Sequence, residues 1–201
     1  MYEALIKRVV DFTMAAFLCS ALLPILLLVA IVIVIDSKGP AFFVQNRVGR
    51  NCRVFSLYKF RTMTDELREI PSAPVIGKAT GVTNAGHFLR KYKLDELPQL
   101  INILKGDMSL VGPRPGVPMQ LRDMTKNEKK RYSVPPGLTG LAQVSGNIHI
   151  RWKERFEFDL EYVKNISFLN DMRIIFRTAL LIFVGEEYFV GKSLKIGKRK
   201  L

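Results

Sequence analysis

Cysteine and histidine are scarce in this chain, and what remains of them is scattered. The two cysteines, Cys19 and Cys52, make neither a disulfide framework nor a metal-binding cluster. The two histidines, His87 and His149, stand alone, so no His/Cys spacing points to zinc. Glycine-rich strand-to-helix loops of the dinucleotide or P-loop kind are missing, and so is a serine elbow. Acid is short: 18 Asp and Glu face 31 Lys and Arg, a formal net charge of +13. That balance favours anionic partners, namely nucleic acid, anionic lipid or phosphorylated substrates. There is no internal repeat and no low-complexity tract.

What is present begins with one apolar run. From Phe12 to Ile35 no charged residue occurs, a stretch of 24 residues. As a helix it would measure about 36 Å, enough for a bilayer core of about 30 Å. It is too long for a cleaved signal peptide. A single-pass anchor is the default, and two features compete with it. Pro24 lies mid-run and predicts a kink. Both flanks are basic, with Lys7 and Arg8 before the run and the cationic body from Lys38 after it. A helix that enters and leaves by one leaflet satisfies both features, while proline is also tolerated in spanning helices, so both topologies stay open.

The remainder reads as short elements. Residues 41–61 predict a β-hairpin turning at Gly49-Arg50-Asn51. Residues 64–84 are polar and proline-bearing, a loop, followed by a helix from about Ala85 with Asn84 as cap. Leu97, Leu100, Ile101 and Leu104 share a helical face; Asp95 suits the N-cap, Pro98 the first turn and Gly106 the stop. Pro113, Pro115 and Pro118 keep 112–118 extended, a basic helix is expected over about 121–131, and Pro135 to Gly140 form an irregular loop. An amphipathic helix spans 151–164, and a very apolar one spans 171–184, too short to cross a bilayer. The tail is a basic charge run.

Several residues stand out chemically. Asp95-Glu96 opens a helix, where the dipole favours an ionised carboxylate; an ordinary cap with first-turn acid is the bland reading. Lys59 and Arg61, Arg90, and Arg114 are cations separated in sequence by extended or turn segments. Arg114 is framed by Pro113 and Pro115, and a stiff loop offering one guanidinium suits bidentate phosphate binding. Asp159 lies on the apolar face of its helix and needs a partner, most simply a Lys or Arg. If there is a nucleophile, a carboxylate is the best candidate left.

The segments in order resemble one family. They are Lys7-Arg8 with Asp11, Phe43 to Gly49, Lys59-Phe60-Arg61-Thr62-Met63, Phe88-Leu89-Arg90, Leu94 to Gln99, Lys105 to Pro115, and Pro136 to Val144, then Gly146, Asp159 and Tyr162. Together they resemble the monotopic polyprenol-phosphate phosphoglycosyl transferases, or bacterial sugar transferases, in a minimal catalytic form. The resemblance implies an α+β fold, mostly helical with a small β-hairpin, a re-entrant kinked N-terminal membrane helix and interfacial amphipathic helices. It divides the chain into 1–38 as membrane helix, 39–185 as catalytic domain and 186–201 as basic tail. It implies a phosphosugar passed from a UDP-sugar to polyprenol (undecaprenyl) phosphate through a covalent aspartyl intermediate, with Mg²⁺. Asp95 would be nucleophile and metal ligand, and Glu96 would assist. Lys59, Arg61, Arg90, Arg114, Gln143 and Asp159 would bind substrate or its phosphates. The partners implied are UDP-sugar, polyprenol phosphate and anionic lipid rather than nucleic acid, at the cytoplasmic face of the bacterial inner membrane. A homo-oligomer stays open. Leu23 replaces the serine of the family's Ser-Pro helix break, and Pro135, Asn147 and Glu161 are further departures. The rival reading is a non-enzymatic basic protein that binds lipid or nucleic acid.

Overall fold

The computed structural model describes residues 2–64, 81–147 and 150–184. Most of the loop expected over 64–84, His149 and the basic tail lie outside the described residues. The chain is α+β and mostly helical, as expected. The first helix, α1 (Lys7–Asp36), continues through Pro24 over 30 residues. A hairpin follows, with β1 (Phe42–Val48) antiparallel to β2 (Val54–Phe60). Asn51 and Cys52 make its turn in the left-handed region, at φ 54° and 60°. Then come α2 (Asn84–Lys91), α3 (Gln99–Lys105), β3 (Ser109–Val111), β4 (Gly137–Thr139), α4 (Leu141–Val144), α5 (Trp152–Lys164) and α6 (Phe168–Val184).

Three expectations are corrected. Thr83, not Asn84, caps α2, because its hydroxyl accepts from Gly86 N at 2.9 Å. The basic helix over 121–131 is two separate 3₁₀ segments, Pro118–Arg122 and Glu128–Ser133. Thr125 and Glu128 form a reciprocal capping box, with Thr125 N donating to Glu128 Oε2 and Glu128 N to Thr125 Oγ1, so the chain starts a new helical segment here rather than continuing the first. The region from Pro135 to Gly140 holds a strand, β4, which pairs in parallel with β3. That pairing depends on glycine. A Cβ on Gly137 would sit 2.0 Å from Gly112 N and 2.3 Å from Thr139 O.

Both halves of α1 rest on the same body. At its start Lys7 pairs with Asp171 at 2.6 Å, and Asp171 also accepts from Tyr2 and Tyr162 at 2.7 and 2.8 Å. Arg8 donates to the carbonyls of Ile103 and Leu104, the C-terminal turn of α3. Asp11 accepts from the Ser109 hydroxyl and from Leu110 N, at 2.6 and 3.1 Å. Lys7 and Arg8, the cations expected to flank the N-terminal end of a membrane helix, are thus engaged by the protein itself. Removing one partner of a buried pair such as Lys7–Asp171 costs about 3–5 kcal/mol. Ala15, Leu18 and Cys19 join the main core with Leu57, Leu100, Ile103 and Ile174.

The far half is held as firmly. Ile33, Leu26, Val29 and Ala30 pack on Phe60 and Leu89. Arg61 donates to the carbonyls of Ile33, Ser37 and Lys38, satisfying the open C-terminus of α1. Asp36 accepts from Ala85 N in the first turn of α2 at 3.0 Å. The other side of α1 is an exposed apolar stripe that includes Phe12, Phe17, Leu23, Leu27, Leu28, Ile31 and Ile35. On α6, Phe168, Leu169, Phe176 and Phe183 are exposed as well.

The glycine contact yields a direct check. Gly137→Ala should destabilise the protein by about 3 kcal/mol or prevent folding, since backbone cannot move aside as a side chain can. An unchanged thermal transition in detergent would contradict the close approach.

Candidate active site

The site is assembled by α3, β2 and the proline-framed loop after β3. Asn102 fixes the first two together. It is fully buried, donates to Ser56 O at 2.7 Å and accepts from Tyr58 N at 3.1 Å, so α3 is stapled to the edge of β2. Leu57 on β2 packs beside Leu100 of α3. Lys59, two residues on, shares the Leu57 face of the strand and reaches the turn that leads into α3.

That turn carries the carboxylates. Leu94–Glu96 form a 3₁₀ turn, entered through Lys93 at φ 58° in the left-handed region. The sequence expectation that Asp95 caps α3 is corrected here. The helix starts at Gln99, Pro98 occupies the cap position, and no side chain caps the helix. The dipole argument for an ionised Asp95 therefore lapses. What sets its acidity is local: burial pushes the Asp95 carboxyl up, Glu96 adds to this, and Lys59, Arg90 and Lys93 pull it back. Among the described residues, none donates a hydrogen bond to it.

Glu96 is the opposite case. Its Oε1 accepts from Lys59 Nζ at 2.7 Å and from Arg114 Nη2 at 2.8 Å. Arg114 Nη1 reaches Oε2 at 3.4 Å, completing a fork. Burial opposes ionisation, yet Arg114 and Lys59 outweigh it and hold the carboxyl well below the usual range. Arg90 stands near Asp95, with its Nε on the Thr62 hydroxyl at 2.9 Å. The neighbouring carboxylates therefore differ in kind. One is saturated with cations and the other is left for a ligand.

Arg114 is placed by its backbone. Gly137 N donates to Pro113 O, Arg131 Nη2 donates to Arg114 O at 2.6 Å, and Val48 N donates to Gly116 O at 2.8 Å. Arg131 is itself buried. It pairs with Asp159 at 2.6 Å, and its guanidinium lies over the rings of Tyr132 and Phe156. Asp159 thus has the simple partner the sequence reading weighed, an arginine. A small cavity opens here, bordered by Arg47, Arg114, Arg131, Arg155, Gln143 and Asp159.

Of the residues singled out, Asp95, Glu96, Lys59, Arg90 and Arg114 come together. Gln143 and Asp159 line the cavity on the other side of Arg114. Arg61 joins neither group: its guanidinium is buried against the end of α1. Sequence reasoning missed Arg131 and Arg155 as neighbours of the site. Arg131 lay in a run of basic residues with nothing to distinguish it. Arg47 was visible only within the resemblance.

Among the described residues, no group of three or more His, Cys, Asp or Glu gathers. Mg²⁺ binds through one or two carboxylates together with substrate phosphates and water, and the open Asp95 carboxylate fits that pattern.

The family model for bacterial sugar transferases matches residues 2–185. The chain belongs to the bacterial sugar transferase family. It is 41% identical over 182 residues to the sugar transferase EpsL of Bacillus subtilis, covering 90% of this chain and 89% of that protein. It is 39% identical over 189 residues to an undecaprenyl-phosphate glucose phosphotransferase of Komagataeibacter xylinus, covering 88% of this chain and 36% of the relative. It is 36% identical over 194 residues to the UDP-glucose:undecaprenyl-phosphate glucose-1-phosphate transferase of Escherichia coli, covering 90% of this chain and 41% of the relative. The chain therefore spans well under half the length of these last two relatives.

The Asp159 environment supplies a pH test. Burial is the main cause that raises its carboxyl, to about 6, with Arg131 opposing. An unfolded aspartate titrates near 3.9. Between about pH 4 and 6 the folded state binds a proton that the unfolded chain has lost, so this group's contribution to stability falls as pH rises through that window. Thermal unfolding of wild type and Asp159→Asn from pH 7 to 4 should show wild type gaining on the variant as pH falls. A constant difference would contradict the assignment.

Proposed function

We propose that this transferase moves a phosphosugar from a UDP-sugar to a polyprenol phosphate, with Asp95 as covalent nucleophile. The observation that carries the reading is the division of labour between two adjacent carboxylates, Asp95 open and Glu96 saturated. The names of the Komagataeibacter and Escherichia coli relatives support it, since both give undecaprenyl phosphate as acceptor and the second gives UDP-glucose as donor.

In the first step an Asp95 oxygen bonds to the β-phosphorus of the donor. The bond from that phosphorus to the bridging oxygen breaks, and UMP leaves with the electron pair. In the second step an oxygen of polyprenol phosphate attacks the same phosphorus. The acyl phosphate bond breaks, the Asp95 carboxylate is restored, and polyprenyl diphosphosugar departs. The burial that raises Asp95 makes its carboxylate more basic, hence a better nucleophile once ionised. Glu96 fixes Lys59 and Arg114, so both cations are preorganised beside the phosphorus rather than recruited during reaction. Arg90 faces Asp95 and is suited to the transferring phosphoryl group. Mg²⁺ held by Asp95 and the diphosphate would offset charge repulsion between them.

The membrane arrangement we propose rests on how α1 is held. A helix that crosses a bilayer beside a body on one face can rest only one end on that body. Here both halves of α1 bear on it, through Lys7, Arg8 and Asp11 at one end and Ile33 and Asp36 at the other. This favours a helix embedded in one leaflet, with both ends at the cytoplasmic face and the exposed stripe toward lipid. Leu94, next to Asp95, packs on the Ile33–Phe60–Leu89 cluster. The nucleophile therefore lies beside the emerging helix, where a lipid-borne phosphate can arrive.

Two experiments test the reading. Asp95→Asn keeps the shape but loses the nucleophile, so UMP release from a UDP-sugar with Mg²⁺ should vanish even without acceptor. Substantial release by that variant, with deamidation excluded, would end the proposal. For topology, single cysteines placed at position 2 and near Lys38 should both resist an impermeant thiol reagent in intact cells. Labelling of the N-terminal one from outside would show a spanning helix instead.

A further inference from the structure

We infer that the arginine-lined cavity beside Arg114 seats the nucleoside monophosphate half of the donor, with Gln143 Oε1 and Asp159 Oδ1 accepting hydrogen bonds from its O–H or N–H groups. This rests on the reading of the protein as a UDP-sugar transferase. The cavity adjoins the carboxylate pair, because Arg114 borders it and also holds Glu96. Arg47, Arg131 and Arg155 complete a cationic wall fit for phosphate oxygens.

Phosphate alone does not satisfy the site. Among the described residues, two buried acceptors at the cavity have no partner, Gln143 Oε1 and Asp159 Oδ1. Each such atom costs about 1–3 kcal/mol when left unsatisfied. Their chemistry is fixed by what their other atoms do. Gln143 Nε2 donates to Leu138 O at 3.1 Å, which orients the amide and leaves its oxygen over. Asp159 Oδ2 is spent on Arg131 at 2.6 Å, which leaves Oδ1. A phosphate has only acceptors to offer at neutral pH, so these two oxygens call for donors on the same ligand. Polyprenol phosphate has none. A ribonucleoside phosphate has both parts: an anion for the arginines, and ribose hydroxyls with the uracil N3–H for the orphaned oxygens. Trp152, half-exposed on the rim with the Arg155 guanidinium 4.6 Å from its ring centre, adds a flat surface for a base.

The sugar half of the donor also carries hydroxyls, so the test uses ligands that lack a sugar. Calorimetric binding of UMP, 2′-deoxy-UMP, 3′-deoxy-UMP and 3-methyl-UMP is measured on purified full-length protein. Two of the three analogues should bind about tenfold or more weakly than UMP, the loss of a hydrogen bond to a buried acceptor. Gln143→Met should erase the penalty of one of these and keep the other. Equal binding of all four by wild type, or no binding of UMP, overturns the inference without need of the variant. A Gln143→Met protein that keeps every penalty overturns the role of the amide. Turnover of UDP-sugars is measured in parallel. UMP bound with this selectivity but no UDP-sugar consumed sinks the transferase reading and leaves the site. Turnover with indifferent binding sinks the site and leaves the reading.

Discussion

The Glu96 carboxylate draws Lys59 from β2 and Arg114 from the loop after β3 to one point, at 2.7 and 2.8 Å. Three segments remote in sequence meet there, and each is held from behind by a buried contact. Asn102 staples α3 to β2. Arg131 holds the Arg114 carbonyl and is itself held by Asp159. Gly137 and Gly112 let β4 approach closely enough to take Pro113 O. The Arg131–Asp159 pair behind Arg114 is buried, and breaking such a pair by removing one partner costs far more than the pair's net worth, so the loop that carries Arg114 is held firmly. A stiff cationic wall around one uncommitted carboxylate is what phosphoryl transfer through a covalent intermediate requires.

The apolar helix belongs to this same assembly. Asp11 holds β3 through Ser109 and Leu110, and β3 runs directly into the Pro113–Pro115 loop. Arg8 holds the far end of α3. Arg61, beside Lys59 in sequence, closes the end of α1. The apolar helix and the candidate site thus rest on the same strands and helices, so the fold sets the position of the site relative to α1.

Much of this was legible in the sequence, and particular residues explain what was not. The hairpin was readable from two apolar runs around a turn, and α3 from its i, i+3, i+4, i+7 pattern and Gly106. The β3–β4 pair was hidden, because strands of three residues leave no alternation to read, and the Pro and Gly that permit the close approach look like loop. The Asp95-Glu96 pair was identifiable, but its physics was misassigned: an acid before an apolar helix looks like a cap, while the 3₁₀ turn moves it away from the helix end. Lys7 and Arg8 looked like topological flanks, because their partners, Asp171 and the Ile103 carbonyl, lie about a hundred residues or more away. Arg61 is two residues from Lys59, which strand alternation would place on the same face, but β2 ends at Phe60 and beyond it the Arg61 guanidinium turns to the end of α1.

The central claim is that Asp95 carries the phosphosugar between donor and acceptor. It is tested most directly by rapid acid quench of the enzyme with UDP-sugar and Mg²⁺ but no polyprenol phosphate, followed by mass spectrometry of the peptide containing Asp95. The account predicts a phosphosugar adduct on that peptide, formed in step with UMP release and discharged on adding acceptor. UMP release that proceeds only when acceptor is present, with the Asp95 peptide unmodified throughout, would contradict it.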